Sequence, residues 1–235
     1  MKVGVLGPNG FMGRYFLKHS KWIPITRDEV DLLNQKSVEM FFEKNYFSVI
    51  IHCAVEGGSM LKMEDGNVTH NNILMFENVA RIFKGKIIYF SSGASVRGDP
   101  PTDPYGLSKW IIDKRILQIK NVYSLRVWGC YGSGEPDPHN RDRFKTICKQ
   151  NGHIVIDKDK YFDFVDIKDV MRVVFEYSLG YRTAKTCNLV YPEKLKLSDW
   201  AKKFGATYEI TDQTELGESY ICVENRHELI STLLN

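Results

Sequence analysis

At 235 residues, with 43% hydrophobic and 26% charged residues, the chain has the composition of an ordinary globular protein with room for one sizeable core. A net charge of +3 without a long Lys/Arg tract leaves no footprint for nucleic acid, and no apolar run approaches about 18 residues, so no membrane span is expected. Five scattered cysteines, Cys53, Cys130, Cys148, Cys187 and Cys222, lack any Cys-x-x-Cys spacing. They read as free thiols of a reducing cytoplasm, with no metal site.

Met1 leads straight into the apolar strand Val3-Gly-Val-Leu6, so no signal peptide is expected. Glycines follow at Gly7, Gly10 and Gly13, and an amphipathic run begins at Phe11. This is the physical recipe for a dinucleotide pyrophosphate site. The first glycine permits a tight strand-to-helix turn, the second lets backbone approach the phosphates, and the third lets the helix pack close to the strand. Gly7, Asn9, Gly10, Phe11, Met12 and Gly13 are the cofactor-binding candidates on this turn.

Apolar, β-rich runs over 3–6, 22–25, 48–52, 86–91 and 123–128 alternate with helical patterns over 11–19, 36–44, 71–83 and 104–120. Continuous apolar strands separated by helices imply a parallel α/β sheet covered on both faces, with its ligand beyond the carboxyl ends of the strands. At the tip of the second strand Arg27 comes first, as an arginine that accommodates the 2′-phosphate of NADP would, with surface charge as the plain alternative. Asp28 and Glu29 follow it and suit either a ribose contact or a helical turn. The third strand ends in His52-Cys53-Ala54; Cys53 and Ala54 are small enough for a dinucleotide to pass close, while His52 reads as a packed, hydrogen-bonded core residue.

Tyr105-Gly-Leu-Ser-Lys109 places a phenol and an ammonium four residues apart, on one face of a helix start. An ammonium beside a phenol favours the phenolate and brings it toward a useful acid/base range. The strand Ile87-Ile-Tyr-Phe-Ser-Ser92 precedes it, with Ser92 the candidate catalytic serine and Ser91 second. Beyond Gly129 the pattern loosens: 130–143 reads as a loop, followed by helices over 143–150, 167–179 and 197–204 and strands over 153–156, 186–190 and 207–210. Residues 1–130 are therefore expected to form the cofactor domain and 131–235 a small second lobe in the same compact body.

With these motifs the chain resembles the extended short-chain dehydrogenase/reductase family, the nucleotide-sugar epimerases, dehydratases and reductases. Gly7-x-x-Gly10-x-x-Gly13 is similar to its cofactor motif, Ser92, Tyr105 and Lys109 to its catalytic triad, and Phe162-Asp-Phe-Val-Asp-Ile-Lys-Asp169 to its segment after the substrate loop. Within the family, the stretches Thr26-Arg-Asp-Glu-Val-Asp-Leu-Leu33 and Val55-Glu-Gly-Gly58 resemble the GDP-fucose synthase and dTDP-dehydrorhamnose reductase groups.

The resemblance implies a Rossmann-type doubly wound sheet with a small C-terminal substrate lobe, an NADP cofactor (NAD being the alternative), and a nucleotide-sugar substrate. It implies a cytoplasmic homodimer without nucleic acid or membrane. Lys109 would also bond the nicotinamide ribose, and Asn72 and Asn78 would lie on the helix beside the active-site strand. Tyr131, Arg143 and Phe162 fall on segments implied to line the substrate cleft, where Arg141 and Arg143 would hold a diphosphate or else be solvated charges.

Three departures qualify the resemblance. The stretch after the serines, Gly93-Ala-Ser-Val-Arg97, is one residue long, with Arg97 where an aromatic is common. The cysteine and histidine that GDP-fucose synthases use for epimerisation fall on Ala94 and Arg143. The chain is also short for the family, chiefly in the substrate lobe. Reduction of a 4-keto sugar, with Tyr105 as general acid, is the leading expectation. An epimerase or dehydratase with tightly held NAD is the runner-up, and a non-catalytic dinucleotide sensor or scaffold the alternative from another class.

Overall fold

The computed structural model describes residues 1–59, 63–135 and 143–224. Six parallel strands, β1 (Val3–Leu6), β2 (Ile23–Ile25), β3 (Val49–His52), β4 (Lys86–Ser92), β5 (Val122–Val127) and β9 (Thr186–Asn188), form one sheet in the order β2-β1-β3-β4-β5-β9. Strand order reverses between β1 and β3, so a crevice opens beyond the carboxyl ends of these two neighbours.

Alternation along each strand assigns the two faces. Val49, Ile51, Ile88 and Phe90 join one core, with Phe16 of α1 (Phe11–Lys18) and Val170, Val173 and Val174 of α6 (Ile167–Leu179). Ile50, Ile87 and Tyr89 join the other. Val38 of α2 (Gln35–Lys44), Phe76 and Val79 of α3 (Gly66–Ile82), and Ile112 and Ile116 of α4 (Pro104–Ile116) complete it. The continuous apolar strands are thus buried on both sides, as a parallel sheet requires.

Local chemistry sets the helix starts. Asp65 accepts from the Asn67 amide to begin α3 five residues before its apolar periodicity does. Asp103 accepts from the Gly106 amide, and Pro104 occupies the first turn of α4, fixing Tyr105 at a helix N-terminus. That helix ends at Ile116, a turn earlier than its pattern predicts.

The remaining chain is interleaved with the sheet rather than set apart. β9 extends the main sheet beyond β5, and α6 covers it. The smaller part contains β6 (Gly129–Tyr131), β7 (His153–Lys158), β8 (Phe164–Asp166) and β10 (Thr207–Asp212), with α5 (Phe144–Asn151) and α7 (Leu197–Lys203). β6 pairs with β8, and β7 with β10. The expected loop over 130–143 therefore begins as a strand. Three-residue strands carry too little alternation to be read from sequence.

Candidate active site

The β1–α1 turn has the geometry its glycines predict. Gly7 adopts φ +76°, and a Cβ there would stand 2.6 Å from the Ala54 amide nitrogen at the end of β3. A Cβ on Gly13 would stand 2.3 Å from the Gly7 carbonyl oxygen, so α1 lies directly on the turn. Gly10 precedes α1 without a side-chain cap, and the first turn holds no acidic residue. The amides at Phe11, Met12 and Gly13 thus have no side-chain cap, and the positive end of a helix is where an anion can be received. Asn9 and Gly10 are exposed at the tip of the turn.

At the β2 tip Glu29 turns back and accepts from both the Thr26 amide, at 2.7 Å, and the Thr26 hydroxyl, at 2.9 Å. This resolves the ambiguity of the acidic pair in part, because the Glu29 carboxylate serves its own turn. Arg27 is exposed and makes no ion pair among the described residues. Cys53 and Ala54 lie half-buried against Gly7, and burial pushes the Cys53 thiol up against an opposing pull from Lys109.

His52 is packed, as expected, with Tyr89 edge-on at 5.5 Å and Phe76 at 6.4 Å. Backbone groups of Met75 and Ala54 lie near the ring, but among the described residues neither ring nitrogen has a partner at full hydrogen-bond geometry. Burial, reinforced by Lys109, lowers its pKa to about 4 and keeps the ring neutral.

Ser92 ends β4 and accepts from the Ala94 amide at 3.2 Å as the chain enters a 3-10 turn, Gly93–Val96. Ser95 of that turn donates to Asp113 of α4 at 2.9 Å, tying the turn to the helix that carries Tyr105 and Lys109. Tyr105 is half-buried; its ring lies against the Gly58 backbone, and its amide donates to Glu64 at 3.2 Å. Glu64 also accepts from the Gly58 amide. Asn72 holds the same loop, accepting from the Glu56 amide at 2.8 Å and donating to the Glu56 carbonyl at 3.0 Å. Asn78 lies further along α3 and donates to the Leu32 carbonyl at 2.8 Å, away from that loop.

Lys109 is buried, with its ammonium 5.5 Å from the Tyr105 ring centroid. It donates to the Tyr89 hydroxyl at 2.8 Å and the Phe90 carbonyl at 2.7 Å. Burial lowers its pKa to about 7, with Asp113 and Cys53 opposing. Tyr89 was legible only as a core aromatic of an apolar strand. The available signal was alternation, which sets it on the same face as His52, its register partner.

The substrate-side candidates separate. Tyr131 is buried among Trp200 and Phe204, at centroid distances of 5.7 and 5.0 Å, and belongs to the core of the smaller part. Arg143 lies over the Phe11 ring at 4.8 Å and donates to the Cys130 carbonyl at 3.3 Å, which sets it at the head of α1. Arg141 lies outside the described residues. Phe162 stacks on Phe164 at 4.3 Å and meets Tyr220 at 5.1 Å. Tyr220, which carried no sequence signal, brings its hydroxyl to 3.4 Å from Ser92 Oγ across 128 residues of chain.

The family model of the NAD dependent epimerase/dehydratase family matches residues 3–179. The chain belongs to this family. UDP-glucose 4-epimerase of Mus musculus is 29% identical over 109 residues, covering 39% of this chain and 31% of that protein. The chain spans about a third of the length of the curated relatives it matches.

Two solved structures share the fold. dTDP-4-dehydrorhamnose reductase of Bacillus anthracis, in complex with NADP, aligns with a TM-score of 0.75 at 16% identity, over 96% of this chain and 90% of that one. GDP-mannoheptose C4 reductase of Campylobacter jejuni, with NADP bound, aligns with a TM-score of 0.70 at 14% identity, over 89% and 87%. No helix among the described residues is long and apolar enough to cross a membrane.

For this member of the epimerase/dehydratase family, the arrangement comprises a helix start without a side-chain cap, an exposed arginine at the β2 tip, and a helix that carries Tyr105 beside the buried Lys109.

Proposed function

We propose that the chain is an NADP-dependent reductase that converts a nucleotide-linked 4-keto sugar to the alcohol. The observation that supports the reading is on α4: the Lys109 ammonium lies 5.5 Å from the Tyr105 ring centroid, and the turn that follows Ser92 is tied to the same helix through Ser95 and Asp113. The reductase neighbours, which hold NADP, support the same choice.

The pyrophosphate fits the amides of Phe11, Met12 and Gly13, with Arg143 at the helix head as a counter-charge. Arg27 meets the 2′-phosphate, and Cys53 and Ala54 let the cofactor pass close to β3. When bound, NADPH supplies the hydride. Tyr105 donates the proton to the oxygen of the reduced carbonyl, so that ketone, hydride and proton sum to the alcohol. Ser92 holds that oxygen by a hydrogen bond. Lys109 orients the nicotinamide ribose and favours ionised Tyr105 once the proton has left. Phe162 and the neighbouring tail form the sugar side of the cleft. A cytoplasmic homodimer with no nucleic acid partner belongs to the same reading.

Purified protein given NADPH with dTDP-4-dehydrorhamnose, or with a GDP-linked 4-keto sugar, is expected to consume NADPH and form the reduced sugar nucleotide. No oxidation of NADPH with either probe overturns the reading. The match to 4-epimerases favours a second one, an epimerase with resident NAD. Protein isolated with stoichiometric NAD, and interconverting sugar epimers without added cofactor, would establish that instead.

A further inference from the structure

Among the described residues Ser92 Oγ has two hydrogen-bonding neighbours, the Ala94 amide at 3.2 Å and the Tyr220 hydroxyl at 3.4 Å. A serine hydroxyl has one proton and two acceptor lone pairs. The Ala94 amide can only donate, so it takes one lone pair. If Tyr220 donates to the other, the single Ser92 proton is left for a third partner.

Tyr220 is held where it can do this. Its amide donates to the Tyr161 carbonyl at 2.9 Å, and its carbonyl accepts from the Asp163 amide at 3.0 Å. Two residues on, the Cys222 amide donates to Asp163 Oδ2 at 2.7 Å. Glu224 then receives Arg126 at 3.0 Å and Asn188 at 2.9 Å. The same Arg126 bonds Asp113 of α4 at 2.9 Å, so tail, β5 and catalytic helix form one polar frame. Over the ring, the Arg97 guanidinium lies 5.5 Å from the centroid and pairs with Asp103, the cap of α4, at 3.5 Å. This pair accounts for the arginine that departs from the family pattern. Burial raises the phenol above its usual range, against opposing pulls from Ser92, Arg97 and the Ala94 amide, so the hydroxyl keeps its proton and has one to give.

We propose that Tyr220 is a positioning residue for the reaction: with the Ala94 amide it saturates the acceptor sites of Ser92 and aims the serine proton at the substrate carbonyl oxygen. Tyr220 lies beyond the segment that the family model matches, so the tail supplies this element itself. The inference rests on the reductase reading of Ser92.

The test compares Ser92→Ala, Tyr220→Phe and the double variant in NADPH-dependent reduction of dTDP-4-dehydrorhamnose and of a GDP-linked 4-keto sugar. Tyr220→Phe keeps the ring and its stack on Arg97. It should lower kcat about five- to tenfold, the rate equivalent of one neutral hydrogen bond, with KM and NADPH affinity within about twofold. The double variant should be no slower than Ser92→Ala, because both changes act through one proton. Replacing Tyr220 with the more acidic 3,5-difluorotyrosine should bring a loss of activity at lower pH as the donor ionises, which a merely structural ring would not do.

Full activity in Tyr220→Phe, or losses that multiply in the double variant, overturns the proposal while leaving Ser92 in place. Full activity in Ser92→Ala removes the serine's role, and absence of turnover in the unaltered protein removes the reductase reading; either takes the proposal with it.

Discussion

The Lys109 ammonium donates to the Tyr89 hydroxyl at 2.8 Å and lies 5.5 Å from the centroid of the Tyr105 ring. The four-residue spacing does set lysine and tyrosine on one helix face. Lys109 nevertheless points inward, to a hydroxyl and the Phe90 carbonyl on β4. The charge is thus buried on two neutral acceptors, which do not fully replace its hydration.

That burial has a pH signature. The Lys109 pKa is about 7 in the folded chain, against 10.5 as its ordinary value. Between these values the unfolded chain binds more protons, so this group makes stability rise with pH, by up to about 1.4 kcal/mol per pH unit. Below the folded value lysine is charged in both states and the full cost of burying it remains. Urea unfolding of the cofactor-free protein and of Lys109→Met, at pH values across this window, measures the effect. The difference in unfolding free energy should move in favour of the unaltered protein as pH rises; parallel curves would show that Lys109 is not desolvated.

Arg27 is expected to set cofactor preference. It is exposed at the β2 tip, and Glu29, the acidic residue two positions on, is engaged with Thr26. A 2′-phosphate would therefore meet a cation there, whereas the hydroxyl of NADH would gain little. NADPH should bind more tightly than NADH in calorimetry, and Arg27→Ala should narrow the gap by about 1.5–3 kcal/mol, the range for a hydrogen bond to a charged group. Equal affinities in the unaltered protein would exclude Arg27 from this role.

The parts of the site that were legible in sequence are those whose chemistry is local. Gly7, Gly10 and Gly13 lie within one turn, and Tyr105 and Lys109 within one helical repeat, so spacing alone implies their geometry. Tyr220 and Ser92 are 128 residues apart and meet only because the tail pairs with the segment at Phe162. Tyr131 looked like a cleft residue because its neighbours are loop-like, yet the short β6–β8 pairing turns it into the aromatic core. Arg143 was read for its charge, and only packing reveals that the charge lies over Phe11. Tertiary contact, rather than residue type, decided each of these.

The missing epimerisation pair leads to a third expectation. Ala94 is buried and offers a methyl group, and Arg143 carries a guanidinium, which does not exchange protons as a base at ordinary pH. Incubated in heavy water with a GDP-linked 4-keto sugar and no reduced cofactor, the protein should leave the hydrogens beside the ketone unexchanged over the solvent background. Rapid deuterium uptake, followed by proton NMR, would reveal an acid/base pair elsewhere and make epimerisation part of the activity.

Tyr105 carries the proton assignment, and its surroundings make a clean substitution possible. The ring lies against Gly58, and the amide is held by Glu64 independently of the hydroxyl. Tyr105→Phe therefore keeps the ring packing and the helix start and removes the hydroxyl proposed as the acid. A general acid contributes about a hundred- to ten-thousandfold in rate, so turnover with NADPH and a 4-keto sugar nucleotide should fall by that order. Thermal unfolding and NADPH affinity should stay near those of the unaltered protein. Lys109→Ala should lower both turnover and NADPH affinity, because it removes the proposed ribose contact together with the charge near the phenol. Combining the two should cost less in rate than the product of the single effects, since both act on one proton transfer. Near-normal turnover in Tyr105→Phe, with cofactor affinity intact, would exclude the phenol as the acid and leave Ser92 or a water to supply the proton.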